Sequence, residues 1–196
     1  IQQFSVDNAL SDGRQTRKRF FQLNKADGSV PGFAAYHERM QTFLLWFVEA
    51  ASYIDIYDDR WDVFVLYEKM PVNVASINGN SDKMPIEFQL CFVGYCTVYR
   101  YYAYPSNVRP RIAQFLILPP FQRMRLGTKL LEAVYEYYNN ESTVDIRVED
   151  PSESFQIMRD ILDCKLCSAL PSFAPDKLKA GWSKDMATEA KEKFKL

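Results

Sequence analysis

The chain has 196 residues, of which 47% are hydrophobic and 25% are charged, and its formal net charge at pH 7 is −1. This composition is typical of a globular domain and argues against disorder of the whole chain. The near-zero charge gives no indication of direct nucleic-acid binding. No apolar run approaches the roughly 20 residues that a membrane span needs.

Residues 1–32 are predicted to be the end of an N-terminal region that contains a hairpin. Two short β-like pieces, Gln2 to Val6 and Arg19 to Leu23, flank a polar segment with the turn signal Asp12-Gly13. The chain begins at Ile1 with no signal-peptide pattern, so we expect it to be a region excised from a longer protein.

Phe33 to Tyr53 is predicted to be one long helix, because its apolar residues recur at helical spacing. The second half is apolar on every side, which predicts that it is buried. Glu49 is then either a buried structural carboxylate or one that lines a cleft. His37 lies in the polar first half and is predicted to be a surface histidine.

An acidic connection over residues 54–60 leads into a predicted strand, Asp62 to Lys69, in which apolar residues alternate. A polar loop over residues 70–86 separates it from a long predicted strand, Phe88 to Tyr104, rich in β-branched and aromatic residues. Gly94 inside this strand indicates a bulge or a close backbone approach. The two strands are predicted to pair as an antiparallel hairpin.

The centre of the chain is a predicted strand, loop and helix. The apolar run Phe115 to Leu118 is stopped by Pro119-Pro120, a loop covers Gln122 to Gly127, and a helix follows from Thr128. Such a unit points free backbone N–H groups at one spot, which is how phosphates are bound, although an ordinary β-to-α connection has the same pattern. The phosphate-binding motifs of nucleoside triphosphatases and dinucleotide folds are absent.

A predicted strand from Ser142 to Glu149 ends in a carboxylate, at the edge where open α/β sheets place their active sites. A carboxylate near a phosphate-bearing acyl donor suits general-base catalysis, in which an ammonium loses a proton and the free amine attacks a thioester. Taken alone, a glutamate in the place of Glu149 is more often a surface residue at the end of a strand than a catalytic one. Asp150 is predicted to be the N-cap of the next helix, with Pro151 at the first helical position and Glu153 in the first turn.

The composition turns polar after Pro171, which predicts a small C-terminal appendage of two helices, residues 175–181 and Asp185–Lys195, the second capped by Ser183. Cys164 and Cys167 have C-x-x-C spacing, but a second such pair is absent and the one histidine is far away in sequence. A zinc site therefore lacks ligands, and we predict no metal. The four cysteines are predicted to be buried free thiols in a reducing compartment.

The segment Gln122-Arg-Met-Arg-Leu-Gly127 is similar to the [QR]-x-x-G-x-[GA] loop of the GNAT superfamily of acetyltransferases. More narrowly, the chain resembles the type B histone acetyltransferases from about Phe33 to its end. The segments that carry this narrower resemblance are Tyr36-His-Glu-Arg39, Gln41-Thr-Phe-Leu-Leu-Trp-Phe47, Arg60-Trp61, Val93-Gly-Tyr95, Thr97-Val-Tyr99, Arg109-Pro-Arg111, Pro120-Phe-Gln122 and Glu149-Asp-Pro-Ser152.

The resemblance implies a mixed α+β GNAT acyl-CoA N-acyltransferase fold, with a twisted, mainly antiparallel sheet that splays where acetyl-CoA inserts. Helices flank the sheet, and the small helical appendage follows it. The domain organisation expected from this is an N-terminal remainder at residues 1–32, the acetyltransferase domain at 33–170 and the appendage at 171–196.

The resemblance also implies roles for individual residues. Coenzyme contacts are expected from the backbone of Phe115, Leu116 and Ile117, from the pyrophosphate loop formed by Gln122, Arg123, Met124, Arg125, Leu126, Gly127 and Thr128, and from Ser154. Glu149 is expected to be the general base, with Glu49 and Asp150 as nearby carboxylates that share or support that role. The histone-tail groove is expected to be lined by Trp61, Tyr99, Arg100 and Tyr101, although the aromatic ones are equally compatible with core positions.

Acetyl-CoA is the implied co-substrate, without a metal. The implied partners are a newly synthesised histone tail, of histone four, and a WD-repeat histone chaperone, with no direct nucleic-acid or membrane contact, in the cytoplasm and nucleus. Arg125 departs from the family pattern, which has glycine there. This departure keeps open a non-catalytic histone-binding module, and a GNAT enzyme acting on another amine, such as a small metabolite, is a further alternative.

Overall fold

The computed structural model describes residues 2–9, 16–72, 87–178 and 184–196. In this part of the chain, one sheet contains six strands in sequential order. They are β1 (Gln2–Ala9), β2 (Thr16–Ala26), β3 (Trp61–Val72), β4 (Glu87–Ala103), β5 (Asn107–Ile117) and β6 (Arg147–Val148). Successive strands from β1 to β5 pair antiparallel, and β6 pairs parallel to β5. The predicted mixed α+β fold with a mainly antiparallel sheet is confirmed.

Helices cover both faces of the sheet. They are α1 (Phe33–Gln41), α2 (Leu44–Phe47), α3 (Leu126–Tyr138), α4 (Glu153–Cys167) and α5 (Lys184–Phe194), with short 3-10 turns at Pro119–Phe121 and Pro171–Phe173. The larger core lies between the sheet and helices α3 and α4, where Leu130, Val134 and Leu162 pack on Phe64 and Ile112. A smaller core on the opposite face packs α1 and α2 against the sheet.

The predicted long helix from Phe33 to Tyr53 is wrong, because α1 ends at Gln41 and the single-turn α2 ends at Phe47. The Gln41 side chain accepts the Ile54 backbone N–H at 2.8 Å, so the chain must turn back soon after α1. The predicted burial of the second half is also wrong, since the Trp46 side chain in α2 is 79% exposed.

His37 was predicted at the surface, and this is wrong, because its side chain is completely buried. It lies four residues after Phe33 and four before Gln41, both also buried, so it shares their helix face. The imidazole packs edge-on against the Tyr95 ring in β4, with 6.3 Å between ring centroids. Neither ring nitrogen has a hydrogen-bond partner among the described residues. Burial lowers the pKa of His37 to about 4, so the ring is neutral at pH 7.

The predicted N-terminal strands are confirmed as the antiparallel pair β1 and β2, while the Asp12-Gly13 turn lies outside the described residues. The antiparallel pairing of β3 with β4 is confirmed too, and most of its connecting loop, 73–86, is likewise not described. The bulge predicted at Gly94 is present, because the register leaves Val93 without a partner. A Cβ on Gly94 would lie 2.2 Å from the Leu116 carbonyl oxygen, so only glycine fits there.

The predicted strand from Ser142 to Glu149 is wrong in extent, because only β6 is strand, preceded by a single bridge between Thr143 and Val108. The Ile146 N–H donates instead to the carbonyl of Lys195, just after α5, at 2.9 Å. The second C-terminal helix is confirmed as α5, although Ser183 is not described. The first is wrong in its described part, residues 175–178, which form a turn without a helix.

All four cysteines are free thiols. Cys96 is buried as predicted, but Cys164 is exposed, which contradicts the prediction for that thiol. Among the described residues, no three or more histidine, cysteine or carboxylate side chains form a group that could hold a metal ion. Over the same residues, no helix has the length and apolarity needed to cross a membrane.

Candidate functional site

Strand β5 pairs with β4 along its length, but its pairing with β6 on the other edge ends halfway. A bulge leaves Ala113 unpaired with β4, because the register passes from Thr97 opposite Gln114 to Val98 opposite Ile112. On the other side, β6 pairs only with Arg111 and Ile112, and the last bond of that pairing runs from the Glu149 N–H to the Ile112 carbonyl at 2.8 Å. From residue 113 to residue 117, this edge of β5 has no strand partner in the described part of the chain.

The loop that follows β5 presents backbone N–H groups. Arg123 and Arg125 have φ of 61° and 60°, in the left-handed region. The backbone bonds that flank the loop run from the Gln122 N–H to the Pro119 carbonyl and from the Lys129 N–H to the Arg125 carbonyl. The N–H groups of residues 123–128 have no backbone acceptor among the described residues. Free amides at the start of α3 make a site that favours an anion.

Side-chain hydrogen bonds and core packing hold this loop in place. The Gln122 amide donates to the Ile117 carbonyl at 2.8 Å, and the Arg19 guanidinium donates to the Met124 sulfur at 3.4 Å. Leu126 is buried in the larger core. A Cβ on Gly127 would lie 3.0 Å from the Met158 sulfur, so this glycine lets α3 start close against α4. Arg123 and Arg125 are exposed, and Thr128 is half-buried.

The strand residues expected to contact the coenzyme have alternating environments. Leu116 is buried against α1 and α2, whereas Phe115 and Ile117 lie on the face of α3 and α4. The Phe115 ring meets the Phe155 ring of α4 at 5.0 Å between centroids. Their backbones belong to the edge of β5 that has no strand partner among the described residues.

Glu149 follows β6 directly, at the point where the two strands separate. Its side chain is 42% exposed, and its Oε1 lies 3.5 Å from Nη1 of Arg111. Asp150 was predicted to be the cap of α4, and this is wrong. The N-cap is Ser152, whose hydroxyl accepts the Phe155 N–H at 3.3 Å, while Asp150 is exposed with φ of 36°. Ser154 is exposed in the first turn of α4.

Three aromatic rings form a continuous row across β3 and β4, here named the aromatic row: Trp61, Tyr99 and Tyr101. Both contacts within the row are edge-on at 4.7 Å between centroids. The Arg111 guanidinium lies 5.7 Å from the Tyr101 ring centroid, so the row leads to Glu149 through this arginine. Sequence reasoning placed the aromatic residues and Glu149 at the site but missed Arg111, for which the signal was its position in the motif Arg109-Pro-Arg111.

An acidic and a basic side chain contact the middle ring of the aromatic row. The Tyr99 hydroxyl donates to Asp58 Oδ2 at 3.1 Å, and the Arg60 guanidinium lies 4.9 Å from the Tyr99 ring centroid. Hydrogen bonds from Arg60, followed by the bond from Tyr99, lower the pKa of Asp58 to about 2. Asp58 therefore carries a negative charge at any pH near neutrality.

Arg100 does not join the aromatic row. It alternates to the opposite face of β4, where its Nε lies 3.3 Å from Oδ2 of Asp62. Asp62 is almost fully buried, pairs with Lys25 at 2.7 Å and accepts the Tyr138 hydroxyl at 2.5 Å. Arg100 therefore belongs to the polar cluster around the buried Asp62, on the face of the sheet that α3 covers.

Glu49 lies in an exposed turn after α2. The segment that follows it is nevertheless fixed to β5, because the Gln114 amide donates to the Ser52 carbonyl at 2.7 Å. Gln114 also accepts the Tyr95 hydroxyl at 3.3 Å. Sequence reasoning missed Gln114, although a polar residue inside an apolar strand was a signal.

Comparison with known proteins gives a consistent picture. Residues 6–154 match the family model described as Acetyltransferase (GNAT) family, and residues 159–196 match the model described as Histone acetyltransferase type B catalytic subunit, C-terminal. The Histone acetyltransferase type B catalytic subunit of Homo sapiens is 47% identical over 177 residues, which are 90% of this chain and 39% of that protein. The counterpart of Cryptococcus neoformans is 38% identical over 74% of this chain and 33% of its own length.

The chain therefore spans about two-fifths or less of the length of these relatives. Among solved structures, Arabidopsis thaliana NAA60 in complex with a bisubstrate analogue is similar with a TM-score of 0.47 and 8% identity, over 74% of this chain and 83% of that one. That similarity is too distant for the two sites to be compared.

Proposed function

Because the chain belongs to the GNAT acetyltransferase family, as its central loop predicted, we propose that it is the acetyl-transfer region of a histone lysine N-acetyltransferase. The relatives that it matches over 90% of its length are named histone acetyltransferase type B catalytic subunits. The observation that carries the proposal is the position of Glu149, which lies where β6 leaves β5 and ends a line of contacts from the aromatic row.

The described residues fit acetyl-CoA. The free N–H groups of residues 123–128 suit a pyrophosphate, and the unpartnered edge of β5 at residues 113–117 offers peptide groups to an amide-bearing arm. Bound there, acetyl-CoA supplies a thioester carbonyl that a neutral amine attacks without a protein nucleophile. Ser154, exposed at the start of α4, is a further candidate contact.

Glu149 is the general base in this proposal. A lysine side chain has a reference pKa of about 10.4 and is an ammonium at pH 7, so it must lose a proton before it attacks. The Glu149 carboxylate accepts that proton directly or through a water in a ternary complex, and its partial exposure lets the proton pass on to solvent. Asp150, the next residue in the chain, and Glu49 are further carboxylates that the resemblance suggests as support for this base.

The acceptor is a basic peptide in this proposal. The aromatic row offers flat rings to alkyl chains and cations, and Asp58 adds a permanent negative charge beside it. We further propose the tail of newly synthesised histone four as the substrate, a WD-repeat histone chaperone as a partner, and the cytoplasm and nucleus as the location. The names of the relatives support a histone substrate, whereas the resemblance is the ground for histone four in particular, for the chaperone and for the location.

The alternative is a histone-binding module in which Arg125 prevents coenzyme binding. Against it, the Arg125 backbone adopts φ of 60°, the region that glycine enters freely, so the loop keeps the shape that the family residue would give. A thermal-shift measurement with coenzyme A separates the two. Stabilisation at saturating ligand is expected, and its absence would favour the binding module. Acetyl transfer to a histone tail compared with a polyamine tests the third possibility, a small-amine substrate.

The substitution Glu149→Gln tests the mechanism. It keeps the shape of the side chain but cannot accept the proton, so we expect kcat to fall by about 100-fold or more while the KM for acetyl-CoA stays within about twofold. Glu141→Gln is the matched control, an exposed glutamate before β6, and should leave both constants unchanged. Unchanged turnover in Glu149→Gln would remove the assignment of Glu149 as the base.

A further inference from the structure

Arg111 connects the two parts of the candidate site. Its Nη1 lies 3.5 Å from Oε1 of Glu149 and 3.5 Å from the Tyr101 hydroxyl. Its guanidinium also lies 5.7 Å from the centroid of the Tyr101 ring. Through one side chain, the candidate base is therefore linked to the aromatic row that is proposed to hold the acceptor.

Strand pairing fixes the backbone around this contact, whereas the position of the Glu149 side chain depends on Arg111. Arg111 pairs with Tyr99 in β4 and with Arg147 in β6, and the Glu149 N–H is bonded to the neighbouring carbonyl of Ile112. Within the described part of the chain, Arg111 is the sole ion-pair partner of the Glu149 carboxylate. That carboxylate is 42% exposed, so without Arg111 its rotamers are free to point into solvent.

We propose that Arg111 is a positioning residue for the reaction. It holds the Glu149 carboxylate near the Tyr101 end of the aromatic row, which is proposed to bind the acceptor. The inference rests on the proposed acetyltransferase function and deepens it. A guanidinium suits this task because its planar fork holds a carboxylate and stacks on an aromatic ring at the same time. It also stays protonated at every working pH, so it does not compete for the proton that Glu149 accepts.

The proposal predicts a split between turnover and binding. A base that points away from the acceptor lowers the rate of the chemical step, but the coenzyme site lies on the loop and on the other half of β5. We therefore expect Arg111→Gln to lower kcat by about tenfold with the KM for acetyl-CoA within about twofold of that of the unsubstituted chain. Arg111→Lys keeps the charge and should recover at least about a third of the lost turnover.

Arg109 provides a matched control on the same strand. It is 39% exposed, compared with 38% for Arg111, and it also pairs with a carboxylate, Asp145, at 2.5 Å. It has no contact with Glu149 among the described residues. Because both arginine side chains are more than one-third exposed, Arg111→Gln and Arg109→Gln should each change the Tm by no more than about 4 °C. Arg109→Gln should keep kcat within about twofold, since of these two arginines it is Arg111 that pairs with the base.

The experiment is steady-state acetyl transfer to a histone-tail peptide by the 196-residue chain and by the variants Arg111→Gln, Arg111→Lys, Arg109→Gln and Glu149→Gln, with a Glu149→Gln/Arg111→Gln double variant. The double variant should be no slower than Glu149→Gln alone, because Arg111 acts through Glu149. Equal losses of kcat in the Arg111→Gln and Arg109→Gln variants, or an additive loss in the double variant, would overturn the role of Arg111. Either result would leave the proposed acetyltransferase function standing. No transfer by the unsubstituted chain would overturn the proposed function together with this role.

Discussion

Replacement of Arg125 by glycine tests the backbone conformation of the central loop. Arg125 has φ of 60°, and its exposed side chain makes no hydrogen bond or ion pair with the described residues, so the substitution removes little besides strain. A left-handed backbone costs a residue with a Cβ roughly 1–2 kcal/mol. Glycine loses roughly 0.5–1 kcal/mol more entropy on folding. The free energy of unfolding should therefore rise by about 0.5–1 kcal/mol in Arg125→Gly.

Urea unfolding followed by circular dichroism measures this change, as a shift of the midpoint at constant slope. Lys129→Gly is the control in the same helix, where the backbone is right-handed and glycine should cost about 1 kcal/mol. Destabilisation of Arg125→Gly by as much as Lys129→Gly would refute the strained loop. Calorimetry on the same variant should show an acetyl-CoA affinity within about tenfold of the original. A gain of several orders of magnitude would show that Arg125 blocks the site.

Two further predictions concern groups outside the loop. The pKa of His37 is lowered from 6.5 to about 4 in the folded protein, so the unfolded chain binds the additional proton between these values. The free energy of unfolding should therefore decrease by up to roughly 3 kcal/mol as the pH falls from 6.5 to 4, and His37→Leu should abolish that part of the slope in urea unfolding curves. An identical slope in the variant would contradict the burial argument. Ser152→Ala should lower the free energy of unfolding by about 1 kcal/mol, because α4 loses its cap. Asp150→Asn should change that free energy by less than about 0.5 kcal/mol. The reverse order in urea unfolding would restore Asp150 as the cap.

The parts of the site that local signals define were predictable from the sequence. Pro119-Pro120 marked the end of β5, Gly127 marked the tight start of α3, and Glu149 followed a short apolar alternation. Each of these is a property of a few neighbouring residues, and the structure has all three elements in place. The antiparallel pairing of β3 with β4 also followed from their strand patterns, whereas the mainly antiparallel sheet as a whole was implied by the family resemblance.

The errors have non-local causes. The end of α1 is tied to Ile54, 13 residues after Gln41, and the shortened β6 reflects a bond between Ile146 and Lys195. Apolar periodicity cannot register either contact, because both join segments that are distant in sequence. His37 was misassigned because polar neighbours outweighed its spacing from Phe33. Arg111 and Gln114 were missed because their roles depend on contacts with residues from other elements.

The second half of β5 has no strand partner on the edge away from β4, and this affects how the protein avoids self-association. Over residues 113–117, about 17 Å of strand edge has no strand partner in the described part of the chain. This is the length of an average strand, and an unpaired edge can recruit strands from other molecules. Pro119-Pro120 ends the edge at once, and the Gln122 amide covers the Ile117 carbonyl at its end. We expect the two prolines to limit strand pairing with other molecules at the same edge that is proposed to contact the coenzyme.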